Sequence, residues 1–243
     1  MIVQACINGA RAAAFHPALP LTPDAMARDG AACVAAGAAE VHLHARGLDG
    51  RESLAPTAMD ATVRAAREAC PGTLIGVSTG AWIERDKKRT REAIDGWREL
   101  PDYASVNLSE PDAPAVIERL RRRGVGVEAG LASVADAERL AALNLGGHAL
   151  RILIEVNEQD ISVALAVVDG IESALSRAGV RRPMLAHGFD ATVWLFVALA
   201  AERRWSTRVG LEDGKALPSG ATAADNAALV AAAAALLRKP DRP

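Results

Sequence analysis

Eight short apolar, β-branched runs alternate with eight helical segments, and this alternation restricts the fold more than any single motif. The runs fall at residues 2–7, 40–44, 73–78, 103–107, 124–128, 150–155, 183–187 and 207–211. The helical segments between them cover residues 22–36, 57–69, 87–98, 113–122, 133–143, 160–178, 191–203 and 223–237. Start and stop signals frame several of these. Thr22-Pro23 places a cap before a proline at the first helical position, Gly37 ends that helix, Ser133 and Asp136 open another, and Gly179 follows the longest. Regular strand–helix alternation implies parallel strands joined by crossover helices. Eight units in 243 residues, about 30 residues each, match a closed (β/α)8 barrel. The alternative is an open doubly wound sheet, but no Gly-x-Gly-x-x-Gly follows the first strand and no Walker loop occurs. No linker interrupts the pattern, so residues 1–243 read as a single (β/α)8 catalytic domain.

Composition narrows the function. Half of the residues are hydrophobic, 24% are charged and the formal net charge is −2, which argues against a nucleic-acid surface or an anionic membrane as partner. The run Arg119, Arg121, Arg122, Arg123 reads as the solvated end of a helix, favourably placed against its dipole. Cys6, Cys33 and Cys70 lie far apart with no Cys-x-x-Cys spacing, which points to a reducing compartment and away from a thiolate zinc site. Met1-Ile2-Val3-Gln4-Ala5-Cys6-Ile7 is too short for a signal-peptide core. The alanine-rich residues 227–237 are bracketed by Asn226 and Arg238 and read as a packed helix, not a membrane span. A cytoplasmic location is expected.

In a barrel of this type the chemistry sits at the C-terminal ends of the strands. Those ends carry Asn8, His42 with His44, Ser78 with Thr79, Ser105 with Asn107, Glu128, Glu155, His187, and Arg208 with Glu212 and Asp213. His42 and His44 stand out within Glu40-Val41-His42-Leu43-His44-Ala45-Arg46. Side chains two apart on a strand share a face, so both imidazoles can reach one metal ion. A catalytic zinc needs about three protein ligands and an open position. Glu212 is the expected third ligand, and His187 is its rival or a partner behind the ligands. His16 belongs to the loop after the first strand, and His148 precedes the sixth strand and reads as structural.

Arg208, Gly210 and Glu212 share one parity on the last strand, and Asp213 joins them only if the chain turns, which Gly214 makes easy. An arginine beside two carboxylates favours their ionised forms. A structural ion pair closing the barrel is the alternative reading of the same residues.

Asn8-Gly9-Ala10, the loop over residues 17–23, His42-Leu43-His44-Ala45-Arg46, Ser78-Thr79-Gly80, Arg208-Val209-Gly210-Leu211-Glu212-Asp213 and Asn226-Ala227-Ala228-Leu229-Val230 occur in an order that resembles the β-keto acid cleavage enzymes, best known for 3-keto-5-aminohexanoate cleavage. The resemblance runs over nearly the whole chain. It implies a zinc-dependent (β/α)8 barrel, often a homo-oligomer, that condenses a β-keto acid with acetyl-CoA to give acetoacetate and a new acyl-CoA. By that resemblance His42, His44 and Glu212 hold zinc, and Arg208 positions Asp213, which activates the substrate directly or through water. Ser78 contacts substrate, Ser105 stands where the family has a hydroxyl, and Glu128 where it has a pocket glutamate. Thr79 and Asn107, at the same strand ends, are expected to line the pocket.

Arg11 departs from the aminohexanoate enzyme, which has a glutamate there to receive an ammonium group. A guanidinium repels an ammonium and suits a carboxylate, so a neutral or anionic β-keto acid is expected. Trp82 is expected to wall the pocket, and CoA phosphate is expected near His187-Gly188. Two rival readings remain at this stage: an amidohydrolase-like metal hydrolase, and a barrel that binds zinc and ligand without turnover.

Overall fold

The computed structural model describes residues 1–238. Eight parallel strands close into a barrel in sequential order: β1 (Val3–Cys6), β2 (Glu40–Leu43), β3 (Leu74–Ser78), β4 (Tyr103–Asn107), β5 (Gly126–Leu131), β6 (Arg151–Val156), β7 (Met184–Gly188) and β8 (Ser206–Val209). Closure pairs β1 with β8 through Val3↔Thr207, Gln4↔Arg208 and Ala5↔Val209. Around it run α1 (Pro23–Ala36), α2 (Pro56–Ala69), α3 (Ala81–Glu84), α4 (Lys87–Gly96), α5 (Ala113–Arg122), α6 (Val134–Ala142), α7 (Ile161–Arg177), α8 (Val193–Arg203) and α9 (Asn226–Leu237). The (β/α)8 barrel expected from the alternation is the fold. No helix among the described residues is long and apolar enough to cross a membrane.

Local chemistry sets the boundaries. The Thr22 side chain accepts from the Ala25 N–H, with Pro23 opening α1, and Gly37 ends that helix in the left-handed region at φ 113°. Asp225 caps α9 by accepting from the Ala228 N–H, so the helix starts at Asn226 and not at residue 223. The short α3 after β3 has no periodic signal in four residues. β5 begins and ends later than the sequence suggests: it continues to Leu131, three residues beyond Glu128.

Strand periodicity divides the side chains between two environments. Val41, Leu43, Ile75, Val77, Val127, Ala129, Ile152 and Ile154 belong to the apolar core shared with the helices. The alternate positions point into the barrel, and at its lower level they are polar. Arg151 donates through Nε to Glu128 Oε1 at 2.6 Å and through its terminal nitrogens to Glu40. Gln4 Nε2 donates to Glu128 Oε1 at 3.0 Å and to the Tyr103 hydroxyl at 2.8 Å. Gly76 makes room for that tyrosine, since a Cβ there would lie 2.1 Å from its ring. Such a buried network holds its geometry only while every partner is present, because breaking one ion pair strands a charge at about 3–5 kcal/mol.

Asn226 locks α9 to the barrel mouth. Its Oδ1 accepts from the Leu211 N–H at 2.7 Å, and its Nδ2 donates to the Ile7 carbonyl and to Asp29 Oδ2, both at 2.8 Å. Asn226→Ala leaves the buried Leu211 N–H and Ile7 carbonyl unpaired. Urea unfolding is expected to show a loss of about 3 kcal/mol; a loss below about 1 kcal/mol contradicts this role.

Candidate metal and active site

The paired histidines stand at the top of β2 on its inward face, and Glu212 arrives from the turn after β8. One ligand atom from each of His42, His44 and Glu212 lies within 4.8 Å of the others, a spacing able to hold a metal ion. Two buried atoms of this group, His42 Nδ1 and Glu212 Oε2, have no hydrogen-bond partner. Unpartnered buried polar atoms cost free energy unless something else occupies them, and a neutral imidazole with a carboxylate is a donor set suited to zinc and related divalent ions. The residues fit a metal.

Each member is held from behind. Asn8, at the end of β1, accepts the His44 N–H at 2.9 Å and donates to the His44 carbonyl at 3.0 Å, fixing the backbone that carries the ring. His44 Nδ1 lies 2.5 Å from Glu52 Oε1, while Nε2 lies 3.4 Å from Glu212 Oε1. With Nδ1 committed to Glu52, Nε2 is the atom left to ligate. Trp82 Nε1 donates to Glu52 Oε2 at 3.0 Å, and its ring stacks 6.5 Å from His44. Gly9, at φ +54°, lets the β1 loop press against Glu212, for a Cβ there would sit 2.4 Å from Glu212 Cγ.

After β8 the chain does turn. The N–H groups of Asp213 and Gly214 both bond the Gly210 carbonyl, at 2.9 and 3.0 Å, which swings Asp213 to the same side as Arg208. One Arg208 nitrogen then donates to Glu212 Oε1 and to Asp213 Oδ1, each at 2.7 Å. Burial by itself would push Glu212 up, yet the Arg208 and His44 charges outweigh it and hold the carboxyl well below its usual range. Burial pushes His42 down more strongly than the Glu212 charge lifts it, so this ring is neutral, the ligand form. Burial also opposes charge on His44, but the Glu212 charge and the bonds to Glu212 and Glu52 raise it to about 9. A cation and a proton therefore compete for His44.

The group opens into a cavity of about 550 Å³ at the barrel mouth. Arg11, Ser78, Ser105 and Asn107 line it with His42, His44, Arg208 and Glu212. Trp82, Glu155, Asn157, Gln159, Phe189 and Asp190 complete most of the wall. Other residues singled out from the sequence lie elsewhere. Asp213 is fully buried behind Arg208 and off the wall. Thr79 turns away, its hydroxyl donating to the Ser105 carbonyl at 2.7 Å. Glu128 lies in the lower barrel network with Arg151, because β5 continues past it. His16 accepts the Ala18 N–H at Nδ1 and contacts the Ala223 carbonyl through Nε2, a loop tie. His187 lies between two carboxylates, with Nδ1 3.3 Å from Asp213 Oδ1 and Nε2 3.5 Å from Glu155 Oε2.

Glu52 is the partner that sequence reasoning misses. The only signal is a carboxylate eight residues after His44, folded back by the Arg46↔Glu52 bridge. Glu52→Gln is expected to weaken divalent-metal binding about 10–100-fold by competition with a chromophoric chelator. An unchanged affinity would show that the 2.5 Å contact does not orient the ring.

A (β/α)8 barrel with a His-His-Glu group able to hold a divalent ion at its mouth is the class this architecture defines. Within it, the chain belongs to the beta-keto acid cleavage enzyme family, whose model matches residues 1–243. A 3-keto-5-aminohexanoate cleavage enzyme from Fusobacterium nucleatum subsp. nucleatum is 37% identical over 84 residues, 34% of this chain and 31% of that protein. The one from Acetoanaerobium sticklandii is 36% identical over 84 residues, with the same coverage of each chain. The matched segment thus spans about a third of these curated relatives. Solved structures of ObcA superpose over 88% of this chain at 18% identity: the apo form has a TM-score of 0.72 over 61% of its chain, and the ternary complex with a C4-CoA adduct and oxalate 0.74 over 62%. That likeness shows the fold.

Proposed function

We propose that this chain exchanges acyl groups between a β-keto acid and acetyl-CoA, giving acetoacetate and a new acyl-CoA, with zinc held by His42, His44 and Glu212. The observation that carries the reading is the convergence of this metal-binding group with Arg208 on one cavity wall, in a chain of the β-keto acid cleavage family. When bound, zinc supplies Lewis-acid stabilisation wherever negative charge gathers on substrate oxygen.

The remaining work falls to the protein. Loss of a proton from the α-carbon gives an enolate, which attacks the acetyl thioester; CoA moves to the neighbouring carbonyl and acetoacetate leaves. Each stage develops negative charge, and Arg208, fixed by Glu212 and Asp213, presents a buried cation to it. Ser78, Ser105 and Asn107 offer hydrogen bonds to the substrate from β3 and β4. Asp213, the base suggested by family resemblance, is buried against Arg208 and His187, its Oδ1 2.7 Å from an Arg208 nitrogen and 3.3 Å from His187 Nδ1.

Arg11 supports a neutral or anionic acyl chain. Its Nε donates to the Glu212 carbonyl at 3.0 Å and one terminal nitrogen bonds Asp190 at 3.1 Å, so the guanidinium is tied to the wall instead of swinging into solvent. Asp190 offsets part of its charge, which admits neutral chains as well as carboxylates, while the guanidinium itself disfavours an ammonium. A cytoplasmic location and a homo-oligomer are part of the same proposal, as is a single catalytic domain.

The test is a screen of β-keto acids with acetyl-CoA and zinc, read by acetoacetate formation and by the mass of the new thioester. Turnover of neutral and acidic substrates above aminated ones is expected. Hydrolysis products without a new thioester would favour a metal hydrolase, and zinc binding without any product a non-catalytic barrel.

A further inference from the structure

Arg11 and Asp190 come from different loops, after β1 and after β7, and both are registered on the turn that follows β8. That turn presents the Glu212 and Asp213 carbonyls. Arg11 Nε donates to the first at 3.0 Å, and one terminal nitrogen donates to the second at 3.3 Å. The Asp190 N–H donates to the same Asp213 carbonyl at 2.7 Å. The two side chains then meet, the Arg11 nitrogen 3.1 Å from Asp190 Oδ1.

Neither partner is held by the other alone. The Arg11 guanidinium lies over the Phe15 ring at 4.3 Å. Asp190 takes φ +46°, the left-handed region that Asp and Asn tolerate best among side-chain-bearing residues. Gln159 Oε1 accepts the next N–H, that of Ala191, at 3.1 Å and ties this loop to the one after β6. A surface ion pair between two free side chains contributes little. Here both ends are set by backbone contacts, so the carboxylate is placed beside the guanidinium whether or not a ligand is present.

Both residues line the cavity. A carboxylate at the end of an acyl chain could approach Arg11 only by standing beside Asp190 as well, and like charges at that range repel. Lys215, whose Nζ lies 5.1 Å from the Phe15 ring, stands off the wall and does not offset this repulsion there. An ammonium meets the guanidinium instead. An uncharged chain meets neither penalty.

We propose that Asp190 is a specificity-determining residue, and that the substrates of this site are β-keto acids whose acyl chain ends uncharged. This narrows the β-keto acid reading above and rests on it. Asp190 is the repulsive element of the selection: it turns away the dicarboxylates that Arg11 alone would draw in.

Two probes of equal carbon count isolate the charge. 3-Oxohexanoate ends in a methyl group, and 3-oxoadipate carries a carboxylate in its place. Each is titrated calorimetrically into zinc-loaded full-length protein without acetyl-CoA, and kcat/KM is then measured with acetyl-CoA present. Wild-type protein should bind and turn over 3-oxohexanoate the better. Asp190→Asn keeps the shape and suits the same backbone conformation. It should shift the ratio of affinities, and of kcat/KM, about tenfold or more toward 3-oxoadipate, with zinc content unchanged. Arg11→Gln, which leaves Asp190 without its cation, should shift both ratios the other way. A wild-type preference for 3-oxoadipate overturns the proposal, and so does an unchanged ratio in Asp190→Asn; either result leaves the β-keto acid reading intact. No new acyl-CoA from any β-keto acid overturns the parent reading and this one together.

Discussion

His42→Ala is expected to empty the metal-binding group and to lower kcat/KM for β-keto acid turnover about a thousandfold or more. Two ligands would remain, and two do not hold a catalytic zinc in competition with water. Several kcal/mol of charge stabilisation would be lost with the ion, each 1.4 kcal/mol being about a factor of ten. The fold should survive, because His42 Nδ1 has no hydrogen-bond partner to strand. Metal analysis after dialysis, steady-state rates and a melting curve separate these effects. Retained zinc with retained turnover would remove His42 from the site.

Arg208→Met is expected to cost about 3–5 kcal/mol of stability, because it strands the buried Asp213 carboxylate and removes the cation from the partly buried Glu212. Arg208 is 2% exposed, and its single nitrogen serves Glu212 Oε1 and Asp213 Oδ1 together. Without that charge, burial pushes Glu212 back up and a proton competes for the ligand oxygen. Activity should fall more than a hundredfold as well, since a group facing developing charge is lost. Arg208→Lys divides the two roles. A point charge restores part of the stability, but a compact ammonium on a flexible stem does not present its charge to the substrate as the held guanidinium does, so activity stays low. Denaturant titration beside steady-state kinetics reads both. A stable, fully active Arg208→Met protein would reduce the cluster to a dispensable ion pair.

The sequence made the barrel legible because each strand is a short β-branched run and each helix a longer amphipathic one, two periods that do not overlap. Spacing by two placed His42 and His44 on one face, and the structure places both on the cavity wall with Glu212. The turn at Gly210 that brings Asp213 beside Arg208 is readable from Gly210 and Gly214, though its depth behind the wall is not. What stayed hidden depends on contacts between distant segments. Glu128 looks like a strand end only if β5 stops there, and Leu131 extends it. Its true partners, Arg151, Gln4 and through them Glu40 and Tyr103, come from four other strands, and no local pattern pairs them. Glu52 escaped for a similar reason: a loop of ordinary polar residues folds back to His44. Arg11 was legible as a cation near the pocket, whereas its ties to the Glu212 carbonyl and Asp190 were not.

Carbon bookkeeping tests the account most directly. Acetyl-CoA carrying carbon-13 at its carbonyl is supplied with an unlabelled β-keto acid that the zinc-loaded protein turns over, and the products are read by carbon NMR. If the chain joins the acetyl group to the α-carbon and passes CoA to the other fragment, the label appears at C3 of acetoacetate and the new thioester is unlabelled. Label found only in acetate or unreacted acetyl-CoA, with the β-keto acid cleaved regardless, would contradict the exchange and point to hydrolysis.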